Sequence, residues 1–239
     1  MRRLHLFVTT FLIIISTTFS FHITPTFFEK RIDGSGGYEE YVLKNNTNET
    51  VRYKIEFLPG LGKFGHMDKW VEYNPKIITI KPQSQSTLKV YIKAPKGTTE
   101  GEYSTLLNAK TIPVPKLEKQ PNEVAAAARL GLNINVEIVG YVGDLVANLE
   151  ITNLKVNEDK EGKAIVIFDV KNNTLKRGVY YSVEVLESNG NFETTEKGRV
   201  GVGKTDKVKI TLDKMKKRDI VGVRIRETAT RREITNKKL

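Results

Sequence analysis

The feature that most constrains this chain is a two-residue rhythm. In residues 51–57, Val51, Tyr53, Ile55 and Phe57 alternate with Arg52, Lys54 and Glu56. Side chains of an extended strand point to opposite faces in turn, so such a run buries one face and wets the other. The rhythm returns at Leu88, Val90 and Ile92, and again at Leu132, Ile134, Val136 and Ile138, which alternate with Asn133, Asn135 and Glu137. Polar turn-formers separate these runs: KNNTNET at 44–50, Asn74–Pro75, and the segment GSGG at 34–37. Such residues tolerate left-handed backbone or fix a bend. The chain therefore reads as all-β.

The strands fall into two sets. The first set is expected at 38–43, 51–58, 71–73, 77–80, 88–92, 103–109 and 132–142, preceded by an edge segment at 21–33 that Pro25 interrupts. Proline has no N–H for a ladder and belongs at an edge. Pro113, Pro115 and Pro121 likewise keep 111–123 out of a sheet interior, and 124–131 reads as one short helical turn. The second set is expected at 149–156, 163–170, 179–187, 207–212 and 220–227, with a weaker strand at 197–201. Several short strands separated by regular turns describe a sandwich, and 239 residues leave room for two. A short repeat ties the halves. Lys44-Asn45-Asn46-Thr47 recurs as Lys171-Asn172-Asn173-Thr174, each between a strand and an alternating strand. The expected layout is two immunoglobulin-like β-sandwich domains, 21–143 and 149–228. Residues 143–148 form the joint and residues 229–239 a basic C-terminal tail.

Ahead of them lies a segment with the pattern of a signal peptide. Arg2 and Arg3 precede the apolar run LHLFVTTFLIII, and Thr18 and Ser20 occupy small positions before a cut near Phe21. Residues 1–20 are thus expected to be removed on export. The rival reading, a membrane anchor, asks for about 20 apolar residues, more than this run supplies. No later segment is long and apolar enough to span a bilayer, so no transmembrane span is expected in the mature chain. Cysteine is absent, so the exported domains must hold by packing without disulfides, and thiolate metal sites and thiol chemistry are excluded. The formal net charge is +11. Outside the inner membrane such a charge suits peripheral contact with an anionic envelope surface. Aromatic residues do not interleave with the basic runs 214–218 and 231–238, which argues against nucleic acid.

Chemistry-bearing patterns are sparse. The three histidines are His5, His22 and His66, of which only His66 sits in a loop with a nearby carboxylate, Asp68. That is too few converging ligands for a metal. Hydrolase elbows, phosphate loops and zinc-protease motifs do not occur. The expectation is a protein that is not an enzyme and carries no cofactor or metal. Binding has better material. The loop 59–73 holds Phe64, Met67 and Trp70 among glycines, a candidate interface; the same residues could instead plug the end of the sandwich. The strand 132–142 either pairs inside its own sheet or lies at an edge, where its backbone can take an added strand.

Read in order, several segments resemble the periplasmic pilus chaperone family, the PapD-like proteins. FHITPTFFEKRIDGSGG resembles that family's first strand and turn, VLKNNTNETVRYKIEF its second and third strands, and GEYSTLLNAKTIPVP its Gly-x-Tyr strand and proline-bearing loop. NEVAAAARLGLNINVEIVGYV resembles the approach to its long last strand, and together these pieces cover most of residues 21–143. The resemblance implies a periplasmic chaperone that completes a pilus or other surface subunit by donating a strand. Leu132, Ile134, Val136 and Ile138 would pair with the client. The resemblance also implies two basic residues between the domains that hold the client's terminal carboxylate. The basic residues near those positions are Lys30 and Arg31, beside Glu29, and Arg129 ahead of the strand. The implied partner is a secreted or surface protein subunit. The alternative function is a structural or adhesive envelope protein that binds through loops or a basic face.

Overall fold

The structure, a computed structural model, describes residues 21–61, 65–113 and 131–239. The signal-like segment 1–20, Phe64, most of the expected helical turn and Arg129 lie outside the described residues.

The first sandwich is built from β1 (Phe21–Thr24), β2 (Glu29–Arg31), β3 (Gly37–Asn45), β4 (Val51–Pro59), β5 (Gly65–His66), β6 (Val71–Asn74), β7 (Ile77–Ile80), β8 (Ser84–Ile92), β9 (Gly101–Thr111) and β10 (Asn133–Val142). One sheet runs β1-β3-β8-β6; the other runs β2-β10-β9-β4-β7, with β5 added to β9. The second sandwich comprises β11 (Leu149–Glu158), β12 (Ala164–Asn172), β13 (Val179–Glu187), β14 (Phe192–Val200), β15 (Thr205–Leu212), β16 (Ile220–Glu227) and β17 (Glu233–Lys238). Its sheets run β11-β12-β15 and β14-β13-β16-β17.

The alternation places the cores. Tyr53 and Ile55 of β4, Leu88, Val90 and Ile92 of β8, and Leu107 and Ala109 of β9 meet in the first core, while Lys54 and Lys89 stay in water. The second core gathers Val166, Phe168 and Val170 of β12, Val183 and Val185 of β13, and Ile210 and Leu212 of β15, with Lys207 and Lys209 outside. Each large side chain withdrawn from water in this way stabilises the fold by about 1.5–3 kcal/mol. The two buried clusters share no residue.

The repeated Asn motif has a shared structural job. Asn45 is buried, and its side-chain amide donates to the carbonyls of Glu49, Ile80 and Lys81 at 2.7, 3.2 and 3.0 Å. Asn172 does the same for Arg177, Val200 and Gly201 at 2.9, 3.3 and 3.1 Å. Each asparagine also accepts from a threonine N–H two residues on, Thr47 at 3.0 Å and Thr174 at 2.8 Å. Buried strand ends carry carbonyls that need partners, and one amide satisfies several.

Two expectations about the chain's ends and loops need correction. Residues 233–238, read as part of a basic tail, form β17, which pairs antiparallel with β16. Ile234 packs against the second core, and Gly222 lets the strand approach, since a Cβ there would sit 2.4 Å from the Lys237 carbonyl oxygen. The charges of Arg231, Arg232, Lys237 and Lys238 masked this strand in the sequence. Met67, read as part of an exposed loop interface, is fully buried in the first core. Its N–H donates to the Ser104 carbonyl at 3.1 Å, which turns the side chain under β9 and β10. Trp70 is half-buried against the same core with its ring 4.9 Å from Tyr103.

Candidate client-binding edge and the domain joint

The strand β10 has different neighbours along its length. Its whole run from Asn133 to Val142 pairs antiparallel with β9. On its other side β2 pairs only with Val139, Gly140 and Tyr141. Residues 133–138 therefore have an edge to which no strand is bonded among the described residues. Backbone groups alternate in direction along a strand. Val139 donates its N–H to Phe28, and Tyr141 accepts from Ile32, both on the β2 side, while Leu132 accepts from Thr111 on the β9 side. The register between these points is unbroken, so Asn133, Asn135 and Glu137 turn their N–H and C=O groups to the open edge.

Side chains sort by the same parity. Leu132, Ile134 and Val136 are half-buried on the core-facing side, and Ile138 is fully buried in the first core. Ile138 is thus occupied by its own domain. The opposite face is polar. Asn108 of β9 donates to both Asn133 Oδ1 and Asn135 Oδ1 at 2.6 Å, and Glu137 is exposed beside them. Leu58 and Leu106 lie in register with one another across β4 and β9, and Leu106 is likewise in register with Glu137.

Below the open edge the two sandwiches meet over buried charges. Arg177, from the turn after β12, is buried and donates from Nη1 to the Leu145 carbonyl at 2.7 Å and from Nη2 to Glu227 Oε1 at 2.5 Å. The same Nη2 lies 3.3 Å from Oε1 of Glu29 in β2, an ion-pair distance without hydrogen-bond geometry. Its guanidinium stacks 4.0 Å over the ring of Tyr141 in β10. Glu29 Oε2 accepts the Tyr180 N–H at 3.0 Å, and Glu102 Oε2 accepts the Gly178 N–H at 2.7 Å and pairs with Arg199 of β14. Phe27 packs its ring 5.3 Å from Tyr180. The joint itself turns at Gly143 (φ +98), where a Cβ would meet Glu100 Cγ at 2.4 Å.

Burial controls the ionisation here. It lifts the Glu29 carboxyl from 4.5 to about 7, against the pull of Arg177 and the Tyr180 N–H. Burial also raises Glu102, against the attraction of Arg199. Burial opposes the charge on Arg177, yet Glu29, Tyr141 and Glu227 together raise its pKa and hold it protonated.

The basic residues singled out from the sequence sit elsewhere. Lys30 pairs with Glu39 at 3.0 Å and reaches the Tyr38 carbonyl. Arg31 is half-exposed and pairs with Asp33 at 2.7 Å and Asp144 at 3.7 Å. Arg129 lies outside the described residues, as does Phe64 of the loop. The charged joint was missed because its members, Glu29, Glu102, Arg177, Arg199 and Glu227, are far apart in the chain. One signal was legible: Glu29 directly follows the aromatic pair Phe27 and Phe28 and opens a charged triplet with Lys30 and Arg31. Among the described residues no group of three or more His, Cys, Asp or Glu side chains could hold a metal ion, and no helix is long and apolar enough to cross a membrane.

Two immunoglobulin-like sandwiches thus join over a buried charge cluster, with a partly unpaired strand beside it. Among solved structures the chain is similar to chaperones. They include the E. coli chaperone DraB (TM-score 0.47, 12% identity, covering 92% of this chain and 96% of that one). They also include the Salmonella enterica SafB chaperone, solved with SafA pilin (0.46, 15%, 94% and 98%), and the Pseudomonas aeruginosa CupB2 chaperone (0.44, 16%, 91% and 100%). No protein-family model and no curated protein matches the sequence.

Proposed function

We propose that this protein is an exported, periplasmic chaperone that assists assembly of a pilus or other surface protein by pairing a strand of its client with β10. The observation that carries the reading is the open edge at residues 133–138, on a strand otherwise embedded in a sheet. An unpaired edge is a template for another chain, and soluble proteins usually blunt it. A client strand added there would gain main-chain hydrogen bonds, and alternate side chains would fill alternate sites. The half-buried Ile134 and Val136 are the apolar positions that an added strand would extend. The buried joint supports the reading by fixing the second sandwich beside the edge. The loop 59–73 offers less to the adhesive alternative, since Met67 and Trp70 pack inward.

The test is capture of the mature protein, residues 21–239, from the host envelope, with identification of what co-purifies by mass spectrometry. A variant carrying Ile134→Lys and Val136→Lys is run beside it, with circular dichroism as the folding control. The reading expects one secreted surface protein that the folded variant loses. Binding that survives both substitutions would overturn it.

A further inference from the structure

The charges around the open edge bear on the chemistry of the strand it would accept. Four described cations that flank the joint already have carboxylates. Lys30 pairs with Glu39, Arg31 with Asp33 and Asp144, Arg177 with Glu29 and Glu227, and Arg199 with Glu102. Arg177 Nε and Arg199 Nε have no hydrogen-bond partner, but both are withdrawn from solvent and both guanidiniums already carry carboxylates. None of these four is left over to receive a carboxylate from outside. Glu137 is the reverse case. It is exposed, its backbone faces the open edge, and it has neither an ion pair nor a hydrogen bond among the described residues. Its position along β10 is the last one before β2 closes the edge at Val139, so it marks the joint end of the slot. The amides of Asn133 and Asn135 beside it carry no charge.

From this we infer that the client strand received by β10 places a lysine or arginine side chain opposite Glu137. The inference rests on the strand-pairing reading above and names the partner's chemistry. Residues directly opposite on neighbouring strands hold their side chains on one face about 5 Å apart, so opposite charges attract there and like charges repel. A terminal carboxylate at the same place would meet Glu137 with Glu102 and Glu29 behind it, two carboxylates whose arginines are already committed.

Synthetic peptides test it. Two nine-residue strands of alternating Val and Thr, acetylated and amidated, are flanked at both ends by Lys in one and by Glu in the other. Their affinities for the mature protein are measured by fluorescence anisotropy at physiological salt. The full chain's net charge of +11 falls by two when Arg2 and Arg3 leave with residues 1–20, and the positive charge that remains favours the glutamate peptide over the surface as a whole. The expected result is lysine-peptide binding about tenfold tighter, the attraction gained plus the repulsion removed. Glu137→Lys should reverse the order. Asn135→Pro removes one edge N–H that does not serve the ladder to β9, and it should abolish binding of both peptides. Equal affinities, or a preference for glutamate, with binding still lost in Asn135→Pro, would overturn the charge inference and leave strand pairing standing. Binding indifferent to Asn135→Pro, or no binding of either peptide, would overturn the edge reading and the inference together.

Discussion

The two asparagine turns do the same work and differ by one residue. Asn45 reaches the carbonyl of Glu49, four positions on; Asn172 reaches that of Arg177, five positions on. In the first sandwich the turn ends in exposed, charged Glu49 and leads into β4. In the second, the longer turn delivers Arg177 into the joint, with Gly178 behind it donating to Glu102. A Cβ at Gly178 would sit 2.3 Å from the Arg199 guanidinium, so any larger residue there would displace that side chain from where it pairs with Glu102. One scaffold thus caps a sandwich in the first domain and locks two sandwiches together in the second. The difference teaches that the repeat marks structure, while its departure from exact repetition marks where the domains meet.

The comparison sharpens most at its point of difference. Arg177→Ala leaves Glu29 and Glu227 buried without their cation and should cost about 4 kcal/mol. Glu49→Ala, in the turn of the first sandwich, should change stability by no more than about 0.5 kcal/mol. Urea unfolding of both variants checks this, and equal effects would break the contrast. At the point of likeness the two turns should agree. Asn45→Ala and Asn172→Ala each strand buried carbonyls and should each cost about 3 kcal/mol. A twofold difference between them would mean that the amides do not play matching roles.

Acidity reads the joint and not the first turn. The folded Glu29 carboxyl titrates at about 7, above its ordinary 4.5. Between those values the folded state holds a proton that the unfolded state has released. The stability from this group is therefore complete below about 4.5 and is lost as pH rises through about 7. Lowering the pH from 8 to 5 should strengthen the fold by about 2 kcal/mol through this group, and Glu29→Gln should remove that part of the dependence. Thermal melts across the range, wild type against variant, decide it. The smallest effect concerns the last strand. Gly222→Ala pushes β17 off β16 and should cost about 1 kcal/mol, seen as faster amide exchange at 233–238.

Period-two runs made most strands legible, because half-buried sheets write their two faces into adjacent residues. Val51–Phe57 and Leu88–Ile92 are clear cases. β17 was not legible, because only Ile234 of its six residues is apolar and lysines crowd its end. Met67 misled for a different reason. A methionine among glycines looks exposed until the backbone bond to Ser104 is known. The strand 132–142 was legible as a strand, but its open edge was not. Pairing is a property of neighbours, and the short reach of β2 leaves residues 133–138 without a bonded strand on one side among the described residues. The joint was the least legible part, since its pairs span up to 151 positions along the chain.

The most direct test of strand pairing is residue-resolved amide exchange by nuclear magnetic resonance on the mature protein, alone and with its captured client. The account predicts fast exchange at Asn133, Asn135 and Glu137 in the free protein. On client binding those three should slow by at least a hundredfold, while Ile134, Val136 and Ile138, already bonded to β9, stay unchanged. Slow exchange at the three odd positions before the client is added, or no change at them afterwards, would contradict it.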